Sequence, residues 1–144
     1  MRIESFLPYR LAVVAEAMSR QLVAVYGREH GLTREEWRLL FLLEDAGTID
    51  SLELAGRTSL DKVQVSRAAS RLEEKGMILR RIPPGDRRLR EYSITPAGRA
   101  QFRRAFGAVE AKAGAVLKAM QPEDRDALER GIGALGDAIR RIEG

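Results

Sequence analysis

Two short stretches of the 144-residue chain concentrate side chains that suit a polyanion. The first carries Lys62, Gln64, Ser66, Arg67, Ser70 and Arg71, interleaved with apolar residues. A glutamine amide can pair with adenine and a guanidinium with guanine, each through two hydrogen bonds. Lysine and serine suit phosphate oxygens, as Ser59 just upstream would; such contacts position a protein on a duplex without reading it. The second stretch is Asp86-Arg87-Arg88-Leu89-Arg90, with three arginines in four residues. Arginine entering a narrow A·T-rich minor groove meets concentrated negative potential. Asp86 among these cations reads as a brace that orients a guanidinium through a charge-assisted bond.

The charge distribution agrees. Between Arg57 and Arg104 stand 13 Lys/Arg and 5 Asp/Glu, out of 25 and 21 in the whole chain. That segment therefore carries a net +8 and the remainder a net −4. A basic third on a neutral-to-acidic scaffold is the footprint of a module that binds nucleic acid.

Other chemistries are poorly supplied. The chain has no cysteine, which excludes disulfides and thiol sensing and removes the usual soft-metal ligands. The one histidine, His30, precedes Gly31 at a helix end, a capping position rather than a ligating one. No phosphate loop or nucleophile elbow is present. These features argue against an enzyme, a metal site or a cofactor. No apolar run approaches the roughly 20 residues that span a bilayer. The start, Met1-Arg2-Ile3-Glu4, does not resemble a signal peptide. The expectation is a cytoplasmic, nucleoid-associated protein with no membrane contact.

The elements that must position these residues follow from periodicity. Leu7, Leu11, Val14, Met18, Leu22 and Val25 recur at helical spacing and predict a helix over 5–28. Its apolar face is widened by Phe6, Val13, Ala17 and Ala24, more than one surface helix needs, so it suits a contact with a second subunit. Thr33-Arg34-Glu35-Glu36 predicts a capping box, Thr33 capping and Glu36 reaching back. A short helix from Asp50 to about Arg57, a turn at Thr58-Ser59-Leu60 and a helix from Asp61 to Lys75 make a helix-turn-helix, whose second helix lies in a major groove. Strands over 77–82 and 89–94 flank the basic turn as a hairpin wing. Thr95 caps a helix to about Met120, with Pro96 at its first position. The last helix begins at Pro122 and carries Leu128, Ile132, Leu135, Ile139 and Ile142 as a heptad seam. That seam reads as a dimer contact, with intrachain packing as the alternative. The fold class is mainly α with a small β-hairpin wing, an α+β winged helix-turn-helix.

Residues 66–80, Ser66-Arg67-Ala68-Ala69-Ser70-Arg71-Leu72-Glu73-Glu74-Lys75-Gly76-Met77-Ile78-Leu79-Arg80, resemble the recognition helix and first wing strand of the MarR transcriptional regulators. Asp86-Arg87-Arg88 is similar to that family's D-x-R wing signature, and Ile94-Thr95-Pro96-Ala97-Gly98 to its L-T-x-x-G helix start. The resemblance extends over essentially the whole chain. It implies one domain over 1–144: a winged helix-turn-helix lobe over 33–95, with 5–30 and 96–144 interleaved as a dimerisation region. It implies a homodimer on a pseudo-palindromic double-stranded operator, acting as a repressor that a small aromatic or lipophilic anion releases. Some branches are similar around Arg10, where an arginine binds an aromatic carboxylate. Arg10 is a cation in the apolar stretch Phe6 to Val14, and Trp37, Phe41 and Phe102 or Phe106 could wall such a pocket. Alternatively Arg10 pairs with an acid across the dimer, and the aromatics are core. A DNA-binding regulator or architectural protein without an effector is the competing expectation.

Overall fold

The computed structural model describes residues 2–144. These form two units, Met1–Val109 and Glu110–Gly144. In the first, a single 3-10 turn at Ile3–Ser5 leads into helix α1, Leu7–Tyr26. Pro8 lies in its first turn, where a missing N–H costs nothing. Residues 2–16 are all exposed, and the apolar side chains Phe6, Leu7, Leu11 and Val14 stand 42–66% open. Only the C-terminal end of α1 joins the core, through buried Tyr26.

Helix α2, Arg34–Ala46, is capped as the sequence predicts: the Glu36 N–H donates to Thr33 Oγ1 at 3.1 Å. The reciprocal half of the predicted capping box does not form. The Glu36 side chain turns into the protein instead, where it is 1% exposed. Leu39, Leu40 and Leu43 on the same helix are fully buried. Each such leucine contributes about 1.5–3 kcal/mol by leaving water.

Strand β1, Thr48–Asp50, was not expected from the sequence. It is followed by α3, Ser51–Thr58, and α4, Lys62–Glu74. Asp50 caps α3 by accepting from the Glu53 N–H at 2.8 Å. The turn between the helices rests on buried Thr58, whose Oγ1 donates to the Leu54 carbonyl at 2.7 Å and accepts from the Leu60 N–H at 3.3 Å. Ser59 takes the left-handed conformation there, φ 61° and ψ 23°, which reverses the chain at the end of α3. Leu60, Val65, Ala68, Ala69 and Leu72 form the buried side of α4 and its approach, as the helical period requires.

Strands β2, Ile78–Arg81, and β3, Glu91–Ile94, are the two arms of the wing. They are shorter than the sequence predicts. With β1 they form a three-stranded antiparallel sheet in the order β1-β3-β2. Ile49 faces Tyr92 and Ile78 faces Ile94 in its register. The core thus gathers α2, α3, α4, this sheet and the first half of α5, Pro96–Lys118.

The start of α5 is held tightly. Thr95 donates its N–H to the Met77 carbonyl at 3.0 Å and its hydroxyl to the Gly76 carbonyl at 2.7 Å, and accepts from the Gly98 N–H at 3.0 Å. A Cβ at Gly98 would lie 2.0 Å from the Met77 carbonyl oxygen. Only glycine permits that approach, which is the physical content of the Thr95-x-x-Gly98 spacing.

The second unit consists of the end of α5 and helix α6, Pro122–Glu143. No residue of α6 is buried. Its seam residues Leu128, Ile132, Leu135 and Ile139 are 41–58% exposed and Ile142 87%. Among the described residues no helix is long and apolar enough to cross a membrane, and no cluster of acids or His could hold a metal ion.

Candidate nucleic-acid interface

Asp61 starts the helix that carries the first basic stretch. Its carboxylate accepts from the Gln64 N–H at 2.8 Å while Gln64 Oε1 accepts from the Asp61 N–H at 3.1 Å. This is a complete capping box, each side chain satisfying the other's backbone donor. Gln64 was expected to read a base. Its carbonyl oxygen already accepts in the cap, which leaves the amide N–H group without a partner among the described residues. The pattern Asp61-x-x-Gln64 carries this signal in the sequence.

Lys62, Ser66 and Arg67 are exposed along one side of α4, and Ser70 is partly so. Arg67 pairs with no acid among the described residues. Arg71, expected on the outer face, is half turned inward, its Nε 3.3 Å from Glu36 Oε1. Lys75 completes this group: its ammonium lies 2.6 Å from Glu36 Oε2 and donates to the Gly31 carbonyl at 3.1 Å. Two cations from the end of α4 thus close on one buried carboxylate of α2 and fix the angle at which α4 is presented.

The wing is braced as the sequence suggested. Asp86 Oδ1 accepts from the Arg88 N–H at 2.9 Å and lies 3.5 Å from Arg88 Nε. The Arg88 side chain remains 93% exposed. Arg90 is tied down: its guanidinium donates to the Arg87 and Leu89 carbonyls at 3.0 and 3.1 Å, and its N–H to Ser51 Oγ at 3.1 Å. Arg87 is exposed at the tip. Between wing and α4 lies a cleft of about 350 Å³ that brings Lys62 and Ser66 together with Arg88 and Arg90. Arg80 of β2 lines it too. The sequence reading left Arg80 in the wing strand without a role, because a strand's faces are only sorted once its pairing is known.

The aromatic residues cluster apart from this surface. Trp37 stacks on Tyr26 at 4.9 Å and on Phe102 at 5.1 Å between centroids. Phe41 meets Phe102 edge-on at 5.8 Å, and Phe102 stacks on Phe106 at 5.6 Å. A cleft of about 490 Å³ opens on Phe41, Phe102 and Phe106. Arg10 is not among its lining residues. It lies 16 residues before Tyr26, about 24 Å along the helix at the usual rise, exposed and without an ion-pair partner among the described residues. Within one chain, therefore, Trp37, Phe41 and Phe102 come together and Arg10 does not join them. Trp37 is core and does not line the cleft; Phe41, 46% exposed, lines it together with Phe102 and Phe106.

These features have counterparts. The MarR family profile matches residues 32–89. The homoprotocatechuate degradative operon repressor of Escherichia coli is 30% identical over 83 residues, 58% of this chain and 56% of that protein. The chain thus spans little more than half the length of that curated relative. Among solved structures, AbsC, a MarR family transcriptional regulator from Streptomyces coelicolor, superposes with a TM-score of 0.81 at 21% identity, covering 97% of both chains. NadR in complex with 4-hydroxyphenylacetate gives 0.71 at 23% identity over 87% of this chain and 88% of that one. The capped helix-turn-helix and the Asp86–Arg88 brace fall within residues 32–89, the stretch that matches the MarR family, and the chain as a whole shares the fold of the MarR-family structures.

Proposed function

We propose that this protein is a homodimeric, sequence-specific DNA-binding transcriptional regulator, acting as a repressor on a pseudo-palindromic operator in the cytoplasm. The observation that carries this reading is the cleft joining Lys62 and Ser66 of α4 to Arg88 and Arg90 of the wing. A helix whose exposed side is basic, set beside a basic ribbon, matches a duplex with the helix in the major groove and the ribbon against the flanking minor groove. In this reading Arg67 reads a base edge, with the Gln64 amide N–H beside it. Lys62, Ser66 and Ser70 hold phosphates. Arg87 and Arg88 reach the minor groove, while Asp86 and Arg90 shape the wing. Arg71 is a positioning residue that acts through Glu36.

Dimerisation rests on the two apolar faces that this chain leaves uncovered, the first turns of α1 and the seam of α6. Two-fold symmetry then requires a two-fold operator. The E. coli relative is named as the repressor of a degradative operon, which favours repression here. An aromatic effector is supported by the cleft at Phe41 and Phe102 and by the aromatic acid held in NadR. A carboxylate bound at Arg10 would require a second copy to bring that residue to the aromatics.

Fluorescence anisotropy with a cognate duplex tests the DNA reading. Arg67→Ala is expected to lose about 1–3 kcal/mol of discrimination at one base pair. Arg88→Ala is expected to weaken binding and to lower the salt dependence by about one phosphate contact, without changing the preferred core sequence. Binding by both variants equal to the wild type at matched salt would refute the interface.

A further inference from the structure

Val63 stands alone on the outer side of α4. Every other apolar residue of that helix, Val65, Ala68, Ala69 and Leu72, is buried, while Val63 is 55% exposed. At about 100° of turn per residue the buried four centre on one line of the helix, and Val63 lies almost diametrically across from it. Arg67, one turn on, and Ser70, two turns on, share that outermost line. Val63 is therefore the foremost side chain of the first turn. It is also held still. Asp61 and Gln64 close their capping box around it, and a β-branched side chain in a helix keeps essentially one rotamer. Neither packing nor helix propensity calls for valine at this point, since a lysine or glutamate would serve an exposed helix better.

We infer that Val63 selects a thymine in each operator half-site by packing on its C5-methyl group. The N-terminal residues of a recognition helix are the ones that meet base edges in the major groove. Valine has no donor or acceptor, and thymine alone presents an apolar group at that edge. A guanine, adenine or cytosine edge pressed against the same side chain would lose water from its polar atoms and find no partner in return, which is costly. One residue thus favours thymine and disfavours the other bases.

The position of that thymine follows from the helix. Arg67 lies about 6 Å further along α4, against about 3.4 Å per base pair, so the two residues read positions no more than two base pairs apart. The wing gives a contrast within the same complex. A ribbon in the minor groove meets no thymine methyl, because that group lies in the major groove. This inference rests on the DNA-binding reading and adds the identity of one base to it. Specific binding without any dependence on a thymine methyl would sink the inference and leave that reading standing.

The test is fluorescence anisotropy of the full chain on a duplex carrying half-sites enriched by selection from random sequences. Each thymine of one half-site is replaced in turn by uracil, which removes the methyl group and leaves every hydrogen-bonding atom in place. At one thymine, within two base pairs of the position where Arg67→Ala relaxes the preference, uracil is expected to weaken binding about fourfold, the factor for one buried methyl. Uracil in the flanks that the wing meets is expected to change binding less than about twofold. In Val63→Ala, whose shortened side chain no longer reaches the methyl, the fourfold difference should fall below about twofold while binding to the uracil duplex stays near that of the wild type. Val63 is exposed, so this variant removes no core contact, and the uracil comparison on the unaltered protein is a test by itself. Half-sites with no thymine within that distance, equal binding of the thymine and uracil duplexes, or a methyl effect that persists unchanged in Val63→Ala would each overturn the inference. Failure to bind any sequence specifically would overturn the DNA-binding reading along with it.

Discussion

The Lys75 ammonium lies 2.6 Å from Glu36 Oε2, joining the C-cap of α4 to the first turn of α2. The carboxylate is buried while both of its cations, Lys75 and Arg71, remain about two-fifths exposed. The pair is therefore asymmetric. Removing a cation strands a buried charge; removing the acid leaves two cations that water can solvate.

That asymmetry sets the first prediction. Lys75→Met is expected to cost about 2 kcal/mol, within the range for leaving a buried charged group short of a partner. Glu36→Met, of similar volume, is expected to cost under about 1 kcal/mol, since an apolar replacement of a buried ionic group is often close to neutral. The double variant should be more stable than Lys75→Met alone. Denaturant unfolding measures all three. A larger loss in Glu36→Met than in Lys75→Met would contradict the account of this contact.

Gly98 gives a second prediction. A methyl group there would meet the Met77 carbonyl oxygen at 2.0 Å, so the turn and the strand must separate. Gly98→Ala is expected to destabilise by about 2–3 kcal/mol, the cost of overpacking against backbone that has little room to shift. Gly131→Ala in α6, where an added Cβ meets nothing in this chain, is expected to gain up to about 1 kcal/mol in helix propensity. If Gly131→Ala instead disrupts the proposed dimer, close approach of a second backbone at α6 is the reason. Thermal melts and sedimentation separate the two effects.

The Arg34 guanidinium bonds Glu16 at 3.0 Å and holds its carboxyl below the ordinary value of 4.5, chiefly through that hydrogen bond and then through charge. A lowered folded-state value favours the ionised form in the folded protein. The contribution is present above pH 4.5 and is lost as the pH falls through the lower folded-state value. Glu16→Gln should melt below the wild type at neutral pH, by a small margin because the pair is exposed. The two melting curves should converge on acidification below pH 4.5. A gap that widens on acidification would show that the pair does not behave this way.

Much of this architecture was legible in the sequence because it is written in local periodicity and caps. Val65, Ala68, Ala69 and Leu72 declare the buried side of α4, and Thr33, Asp50 and Thr95 each cap the helix they precede. What escaped was non-local. Strand β1 has three residues, too few to show alternation, and exists only because Ile49 finds Tyr92 across the sheet. Glu36 satisfies a capping-box pattern three residues from Thr33, yet its true partners are 35 and 39 residues away. Within one chain Arg10 does not line the cleft of Phe41, Phe102 and Phe106, a separation set by the length of α1 and by no local pattern.

The claim that α4 and the wing together hold a two-fold duplex site is tested most directly by selection. The purified full chain, at physiological salt, is used to enrich sequences from a pool of random duplexes. The account predicts an inverted repeat whose half-sites are centred about 10 base pairs apart, one helical turn, as two-fold related recognition helices require. Enrichment of a single unrepeated site, or of no sequence at all, would contradict it.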